Sequence, residues 1–239
     1  MPRYESLEWT EEQVARFWDY ESQFPERYFT NRYGDVIIKR LGRFLRQSER
    51  ILDFGCGMGF LVGHLLRQGF RTAGADFSPR SVQEVRTRFA SDQNFLGAFE
   101  PRDFAAGKLT FDAVLAVEVV EHLGDAALAD TLRMIRGATR RGGVVIFTTP
   151  NAERLSESDV FCAGCSRVFH RYQHVRSWDA DSLRDRLEAA SFSVTDIFTT
   201  DFRASFRKHK LLALRLLAMK LARRGLVAPN LVAVCRTGV

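Results

Sequence analysis

A glycine-rich turn between a strand-like run and a helix-like run is the feature that most constrains this chain. The stretch ILDFGCGMGF (residues 51–60) places Gly55, Gly57 and Gly59 where the apolar run ends. Glycine lets the backbone turn sharply and approach a ligand closely, and open α/β sheets bind ligands at the carboxyl ends of their strands. The turn therefore predicts a small-ligand site on an α/β sheet.

The surrounding sequence alternates strand-like and helix-like segments. The strand-like runs are RILDF (50–54), RTAGAD (71–76), FDAVLAV (111–117) and GGVVIFTT (142–149). Helical patterns lie between them at 58–68, 78–90 and 126–137. Such alternation predicts a largely parallel sheet with helices on both faces. A polar loop, a helix near 179–190 and the strand-like runs FSVTDIFTT and NLVAVCRT follow Pro150.

The length of 239 residues suits one α/β domain. We expect cover helices in residues 1–47, a cofactor-binding core with an acceptor loop in 48–200, and a helical insertion at 203–224 before the last strand. Apolar runs fall short of the roughly 18 residues that a membrane span needs, and the N-terminal residues are polar and acidic, so we expect a cytoplasmic protein. The four cysteines are too sparse for a disulfide framework and are predicted to be reduced thiols.

The net charge of +6 is concentrated in one segment. Residues 203–224, RASFRKHKLLALRLLAMKLARR, contain eight Lys and Arg residues and no acid. Without those eight, the basic residues no longer outnumber the 29 acidic ones. An apolar centre between basic clusters is typical of a helix that contacts an anionic membrane surface. A partner helix, a lid over the substrate pocket and a helix packed on its own domain remain open alternatives, because the basic residues do not gather on one helical face.

The spacing of the glycines distinguishes between cofactors. A nicotinamide-type fingerprint requires glycine where this chain has Phe60. The second strand-like run ends in Asp76, whose carboxylate can accept both hydroxyls of a ribose. With Asp53 in front, the order D-x-G-x-G-x-G resembles motif I of the class I S-adenosylmethionine-dependent methyltransferases. The resemblance covers about residues 25–200.

This resemblance implies a Rossmann-like α/β fold with a seven-stranded, mostly parallel sheet, helices on both faces and an antiparallel last strand. It also implies S-adenosylmethionine as cofactor, with Phe77 near the adenine and Gly55 at the amino-acid end. The implied cofactor-binding residues are Asp53, Gly55, Gly57, Gly59, Asp76 and Phe77. The chain departs from the family at Ala98, where an aspartate often accepts a hydrogen bond from the adenine amino group.

A second motif, VEVVEHL (117–123), follows the fourth strand-like run. If the chain turns helical at Glu118, then Glu118, Glu121 and His122 project on one face. The turn is similar to that of the ubiquinone-biosynthesis O-methyltransferases and the small-RNA 2′-O-methyltransferases. In their metal-dependent members these side chains and a later histidine, downstream of T-P-N, hold a divalent cation. The resemblance implies that Glu118, Glu121, His122 and His174 form a Mg²⁺ or Mn²⁺ site; alternatively, His122 is a general base without metal.

The stretch FCAGCSRVFHRYQH (161–174) offers an alternative role for His174, as a ligand in a zinc site. Thiolates and imidazoles are the ligands that zinc prefers, so Cys162, Cys165, His170 and His174 form a candidate closed zinc site. One histidine cannot serve both sites. Assigning His174 to the active site leaves Cys162, Cys165 and His170 as zinc ligands that need a fourth, or leaves an ordinary loop with partly buried thiols.

These observations predict an S-adenosylmethionine-dependent methyltransferase that acts on an oxygen of a small or lipid-linked molecule, such as a quinone precursor, a sugar or a glycan. Glu118, Glu121 and His122 are its predicted catalytic residues. Methylation of RNA at the 2′-oxygen is an alternative, although the sequence shows no recognisable RNA-binding module and nucleic acid is not the expected partner. A non-catalytic cofactor-binding scaffold is a third hypothesis, against which the intact acid and histidine motif argues.

Overall fold

A central sheet of seven strands organises the computed structural model, which describes residues 4–46, 48–104, 109–204 and 228–238. The strands in chain order are β1 (Arg50–Phe54), β2 (Arg71–Ala75), β3 (Phe95–Phe99), β4 (Phe111–Val117), β5 (Thr139–Pro150), β6 (Asp159–Cys162), β7 (Arg167–His170), β8 (Phe192–Thr200) and β9 (Asn230–Thr237). Strands β6 and β7 form a separate hairpin. The predicted strands are confirmed, and β5 begins earlier than its apolar run because Thr139 already pairs with Phe111.

The spatial order of the sheet is β3-β2-β1-β4-β5-β9-β8. Strands β1 to β5 run parallel, whereas β9 pairs antiparallel with both β5 and β8. The expected mostly parallel sheet with an antiparallel last strand is therefore confirmed. The order reverses between β1 and β4, which makes this the switch point where an open sheet offers a crevice at its carboxyl edge.

Helices cover both faces of the sheet. They are α1 (Glu11–Glu21), α2 (Phe29–Leu45), α3 (Phe60–Arg67), α4 (Pro79–Phe89), α5 (Asp125–Ala138) and α6 (Ala180–Ala189). Strand β4 shows the two-sided burial directly, because Val114 and Ala116 pack with α5 while Ala113 and Leu115 pack with α2 and α3. A buried strand between two helical layers is thus apolar on both faces.

The N-terminal cover has two parts with different packing. Helix α2 buries Ile37, Ile38 and Leu41 against the sheet. Helix α1 has no buried residue and begins at a capping box formed by Thr10 and Gln13. Its attachment is through side chains, including the ion pair between Asp19 and Arg80 of α4. Helix α2 is therefore part of the core, and α1 lies over the carboxyl edge as a cover.

The basic segment 203–224 falls almost entirely outside the described residues, which resume at residue 228. Its predicted helix and the predicted contacts with a membrane, a partner or the substrate remain predictions. Across the described ranges, no helix is long and apolar enough to cross a membrane.

Candidate active site

The glycine loop after β1 is joined to the end of β2 by the carboxylate of Asp76. The Gly57 N–H donates to Asp76 Oδ2 over 2.8 Å, and the Ser78 N–H donates to Oδ1 over 2.9 Å. Each carboxylate oxygen retains acceptor capacity beyond these bonds. The half-buried Asp76 therefore lies where the sequence motif places a ribose acceptor, and its orientation is fixed by the protein itself.

The backbone of the glycine loop is tightly enclosed on its protein side. Gly55 has a left-handed φ of 79°, and a Cβ there would lie 2.6 Å from Val119 Cγ2. A Cβ at Gly57 would lie 3.1 Å from the Tyr28 ring. A side chain at Gly55 or Gly57 would therefore crowd its neighbours, and Val119 brings the turn after β4 against the loop.

Two further cofactor candidates differ sharply in exposure. Asp53 is 2% exposed, and burial together with the charge of Asp76 raises its pKa to about 8. Phe77 is 54% exposed and contacts Phe54 edge-on, with ring centroids 6.2 Å apart. A solvent-facing aromatic ring beside a fixed carboxylate fits an adenosine, which offers a flat base and two ribose hydroxyls. Ala98 is buried and its carbonyl accepts from Arg86 Nε over 2.8 Å.

The turn after β4 differs from its predicted helical start. Glu118 has a left-handed φ of 53°, and only Val120–His122 forms a short 3₁₀ turn. The Thr148 hydroxyl donates to Glu118 Oε1 over 2.8 Å, while the Glu118 N–H donates to the Thr148 carbonyl over 2.9 Å. Burial, opposed by the hydrogen bond from Thr148, raises the pKa of Glu118 to about 7. Glu118 is thus attached to β5, and the expected i, i+3, i+4 face does not form.

Glu121, His122 and His174 nevertheless converge as predicted. One ligand atom from each lies within 4.8 Å of the others, and Glu118 is not a member of this group. Glu121 is 1% exposed, and neither of its carboxyl oxygens makes a hydrogen bond of good geometry among the described residues. Burial, followed by the charge of Glu118, raises its pKa well above the ordinary value, although the Thr149 hydroxyl lies close enough to lower this pKa somewhat. Because an unpartnered buried carboxyl is costly, these oxygens indicate a place for a cation.

The ring of His122 is oriented by the loop after β5. Its Nδ1 lies 3.4 Å from the Gln173 carbonyl oxygen, which can only accept, so Nδ1 carries the hydrogen. The other nitrogen, Nε2, lies 4.0 Å from Glu121 Oε1. Burial and the nearby His174 lower the pKa of His122 to about 3. The residue is therefore a neutral imidazole whose Nε2 lies near Glu121, which suits a metal ligand better than a base.

The structure corrects the proposed zinc group of Cys162, Cys165 and His170. In the β6–β7 hairpin, Cys162 pairs with Arg167 near the turn, whereas His170 pairs with Asp159 at the opposite end. Three residues along a strand correspond to about 10 Å. His170 instead stacks on His174, with ring centroids 4.4 Å apart. Among the described residues, neither group able to hold a cation contains a cysteine.

Sequence reasoning missed Glu153 and Gln173. Glu153 contacts both His170 and His174, and Gln173 contacts His122 and donates from Nε2 to its carbonyl over 3.1 Å. Their neighbourhood is marked by unusual backbone, because Ala152 and Gln173, like Glu118, have positive φ values. Such conformations cluster at functional sites. The sequence offered one indication of Glu153, an acid two residues after Asn151 in the loop that leads to His174.

The sheet order, the glycine loop and the acid at the end of β2 together define the fold of class I S-adenosylmethionine-dependent methyltransferases. The family described as "Methyltransferase domain" matches residues 25–197. The chain belongs to this family.

Curated relatives are similar over part of their length. The chain is 30% identical over 152 residues to the ubiquinone biosynthesis O-methyltransferase of Caulobacter sp. (strain K31), a match that covers 58% of this chain and 59% of that protein. It is 36% identical over 127 residues to the protein of the same name from Mesorhizobium japonicum, covering 49% of each. The matches thus span less than two thirds of these relatives.

Solved structures share the fold at low sequence identity. The putative methyltransferase in complex with the Haloferax volcanii Trm112 activator superposes with a TM-score of 0.64 at 18% identity, covering 93% of this chain and 98% of that one. A SAM-dependent methyltransferase from Archaeoglobus fulgidus gives 0.60 at 15% identity, covering 92% and 99%. At these identities the likeness shows the fold alone.

Proposed function

We propose that this protein transfers a methyl group from S-adenosylmethionine to an oxygen atom of a small or lipid-linked acceptor. The observation that carries the proposal is the buried, unpartnered carboxyl of Glu121 beside His122 and His174. Its turn packs against the cofactor loop through Val119 and Gly55. Acceptor chemistry and cofactor binding are therefore served by adjacent segments.

The cofactor side of the reaction depends on positioning. Asp76 would accept the ribose hydroxyls, and Phe77 would pack against the adenine. The carboxylate of Asp76 is held in place by two backbone N–H groups, and each of its oxygens can accept a further hydrogen bond. The ring of Phe77 is largely exposed and so is open to a ligand. Fixing the donor and the acceptor in one orientation provides most of what a methyl transfer needs, because the methyl carbon of a sulfonium is already electrophilic.

The acceptor side requires a proton to be removed. An alcohol or phenol oxygen is a poor nucleophile until it is deprotonated, and Nε2 of His122 can take the proton where the charge of an ionised Glu121 raises the pKa of the ring. Glu121, His122 and His174 would also hold a divalent cation: the carboxylate suits Mg²⁺ or Mn²⁺, whereas the two imidazoles favour Mn²⁺ and softer ions over Mg²⁺. When bound, the cation would lower the pKa of the acceptor hydroxyl and fix its direction.

Aromatic side chains surround this group. The Trp18 ring meets His122 edge-on at 5.0 Å, and the exposed Tyr172 lies beside His174 with ring centroids 6.0 Å apart. Such surfaces favour an acceptor with a flat or apolar body. The name of the curated relatives, ubiquinone biosynthesis O-methyltransferase, supports an acceptor of this class.

The test is transfer of radiolabelled methyl from S-adenosylmethionine into fractionated cell extract, with and without a chelator. Label in the organic-solvent or glycan fraction is expected, with loss on chelation and recovery with Mg²⁺ or Mn²⁺. Label confined to RNA would contradict the proposed acceptor, and cofactor binding without any transfer would indicate a scaffold. Transfer that resists chelation would assign proton removal to His122 alone.

A matched pair of variants makes the assay specific to the site. Glu121→Gln removes the buried carboxylate and is expected to abolish transfer. Glu157→Gln changes an exposed acid that pairs with exposed Arg154 and is expected to retain full transfer. Equal activity of the two variants would overturn the role of Glu121.

A further inference from the structure

Two acid and imidazole groups overlap at His174. Glu121, His122 and His174 form one, and Glu153, His170 and His174 form the other, each with its ligand atoms within 4.8 Å. Both groups have the donor atoms that a divalent cation accepts. The positions of the imidazole hydrogens decide which group can bind an ion and which supports it.

His170 has no lone pair to give to a cation. Its Nδ1 accepts hydrogen bonds from the backbone N–H groups of Tyr172 and His174, at 3.3 and 3.2 Å. A ring nitrogen that accepts cannot carry hydrogen, so the hydrogen of the neutral ring is on Nε2. That nitrogen lies 3.4 Å from Glu153 Oε1, a contact at ion-pair distance that does not reach hydrogen-bond geometry.

Glu153 in turn determines the hydrogen position of His174. Its Oε2 lies 2.5 Å from His174 Nδ1, and an ionised carboxylate can only accept, so Nδ1 carries the hydrogen. The other nitrogen of His174, Nε2, keeps its lone pair. The near-parallel stacking of the two imidazoles, 18° apart in plane, restrains the ring that presents it.

We propose that Glu153 and His170 are positioning residues that set the tautomer of His174. In this chain of contacts the backbone orients His170, His170 lies at ion-pair distance from Glu153 Oε1, and Glu153 holds the hydrogen on Nδ1 of His174. Nε2 of His174 then completes the ligand set of Glu121 and His122. The proposal deepens the proposed function and rests on it only for the presence of the cation.

The first measurement is the affinity of the purified, full-length chain for Mn²⁺, by calorimetry and by electron paramagnetic resonance. Glu153→Gln is expected to weaken binding by about 10- to 100-fold, the usual effect of losing such a supporting partner. Glutamine keeps an acceptor at only one of the two oxygen positions that face His170 and His174. Glu153→Asp retains the charge and is expected to recover part of the affinity, and Glu157→Gln is the matched control with wild-type affinity.

The second measurement does not depend on a metal. Nitrogen-15 NMR of the histidine rings in the metal-free protein reports which nitrogen carries hydrogen. The wild type is expected to show His174 protonated at Nδ1 and His170 at Nε2. In Glu153→Gln, His174 is expected to shift toward a mixture of tautomers, while the backbone spectrum stays that of a folded chain.

The two measurements separate the outcomes. A tautomer shift together with weaker Mn²⁺ binding supports the proposal. If the tautomer shifts in Glu153→Gln but the wild type binds no Mn²⁺, the positioning roles are supported and the proposed cation is refuted. An unchanged His174 tautomer in Glu153→Gln, or paramagnetic broadening that shows Mn²⁺ bound directly to His170, overturns the positioning roles.

Discussion

The amide N–H of Gly57 donates to Asp76 Oδ2 over 2.8 Å, so the loops after β1 and β2 share one hydrogen bond. The second oxygen of Asp76 is held by the Ser78 N–H at the start of α4. The carboxylate is consequently fixed before any ligand arrives. Such preorganisation reduces the ordering cost of binding.

Replacing Asp76 with Asn should weaken cofactor binding. The amide has only one acceptor atom for the N–H groups of Gly57 and Ser78, and it cannot offer a charged acceptor to both ribose hydroxyls. Hydrogen bonds to charged groups contribute about 1.5–3 kcal/mol, so the affinity for S-adenosylhomocysteine should fall about 10- to 100-fold by calorimetry. Asp92→Asn, in an exposed turn, should bind normally; undiminished affinity in the Asp76 variant would refute the assignment.

Glu121→Met should make the metal-free protein more stable while abolishing transfer. The carboxyl is buried without a hydrogen-bond partner in the described structure, and an apolar side chain of similar size removes that penalty of about 1–3 kcal/mol. Urea unfolding in the presence of a chelator gives the free energy of unfolding, and the methyl-transfer assay gives the activity. A variant that loses both stability and activity would show that Glu121 has a structural role.

Gly34→Ala and Gly42→Ala, both in α2, should have opposite effects on stability. A Cβ at Gly34 would lie 2.7 Å from Cγ of His64, a buried ring whose Nδ1 is 2.5 Å from Asp35 Oδ1. Overpacking of this kind costs about 1–3 kcal/mol. At Gly42 there is nothing within 4 Å, so alanine should stabilise the helix by roughly 0.5–1 kcal/mol. Equal effects in thermal unfolding would contradict the close contact at His64.

Asp112→Asn should reduce stability in a pH-dependent way. Burial alone would raise the pKa of Asp112, but hydrogen bonds from the Arg50 N–H, the Arg140 side chain and the Glu49 N–H lower it below the ordinary value. A lowered folded-state pKa stabilises the fold above the unfolded-state pKa of about 4, and this contribution is lost as the pH falls through the folded-state value. Because the Arg140 pair is half-exposed, it adds little.

Urea unfolding from pH 7 down to pH 3 measures this dependence. Wild type should exceed the variant by about 1–2 kcal/mol at neutral pH, mainly through the two backbone donors. The difference should close toward the acid end. A difference that does not change with pH would mean that the carboxylate charge makes no contribution.

The strands, the helices between them and the cofactor loop could be predicted because they depend on local patterns. Apolar runs bounded by glycine and aspartate correspond to β1, β2 and β4 within a residue. The turn at Glu118 could not be read in this way, since its left-handed backbone is imposed by contacts with Thr148 on a neighbouring strand. Tertiary contacts there override the local helical pattern.

The zinc prediction failed for a related reason. His170 follows Cys165 by five residues, which in sequence suggests a common site. In the structure, however, the cysteines lie near the turn of the β6–β7 hairpin, and His170 lies at its opposite end. Glu153 was overlooked because its partners, His170 and His174, lie on the far side of that hairpin in sequence. To predict a set of ligands that spans a hairpin, the pairing register of its two strands must be known, and sequence spacing alone does not give that register.

Glu121 and His122 belong to the turn after β4, whereas His174 belongs to the loop after β5. In an unfolded chain, only Glu121 and His122 are close enough in sequence to bind a cation together. The complete group therefore forms only when the turn after β4 and the loop after β5 have packed against each other. An ion held there would close a loop of roughly 50 residues, and the entropy of loop closure then acts as it does for a covalent cross-link. A bound ion would in that case stabilise the folded chain by mass action, so metal supply would help to set the fraction of chains that are folded.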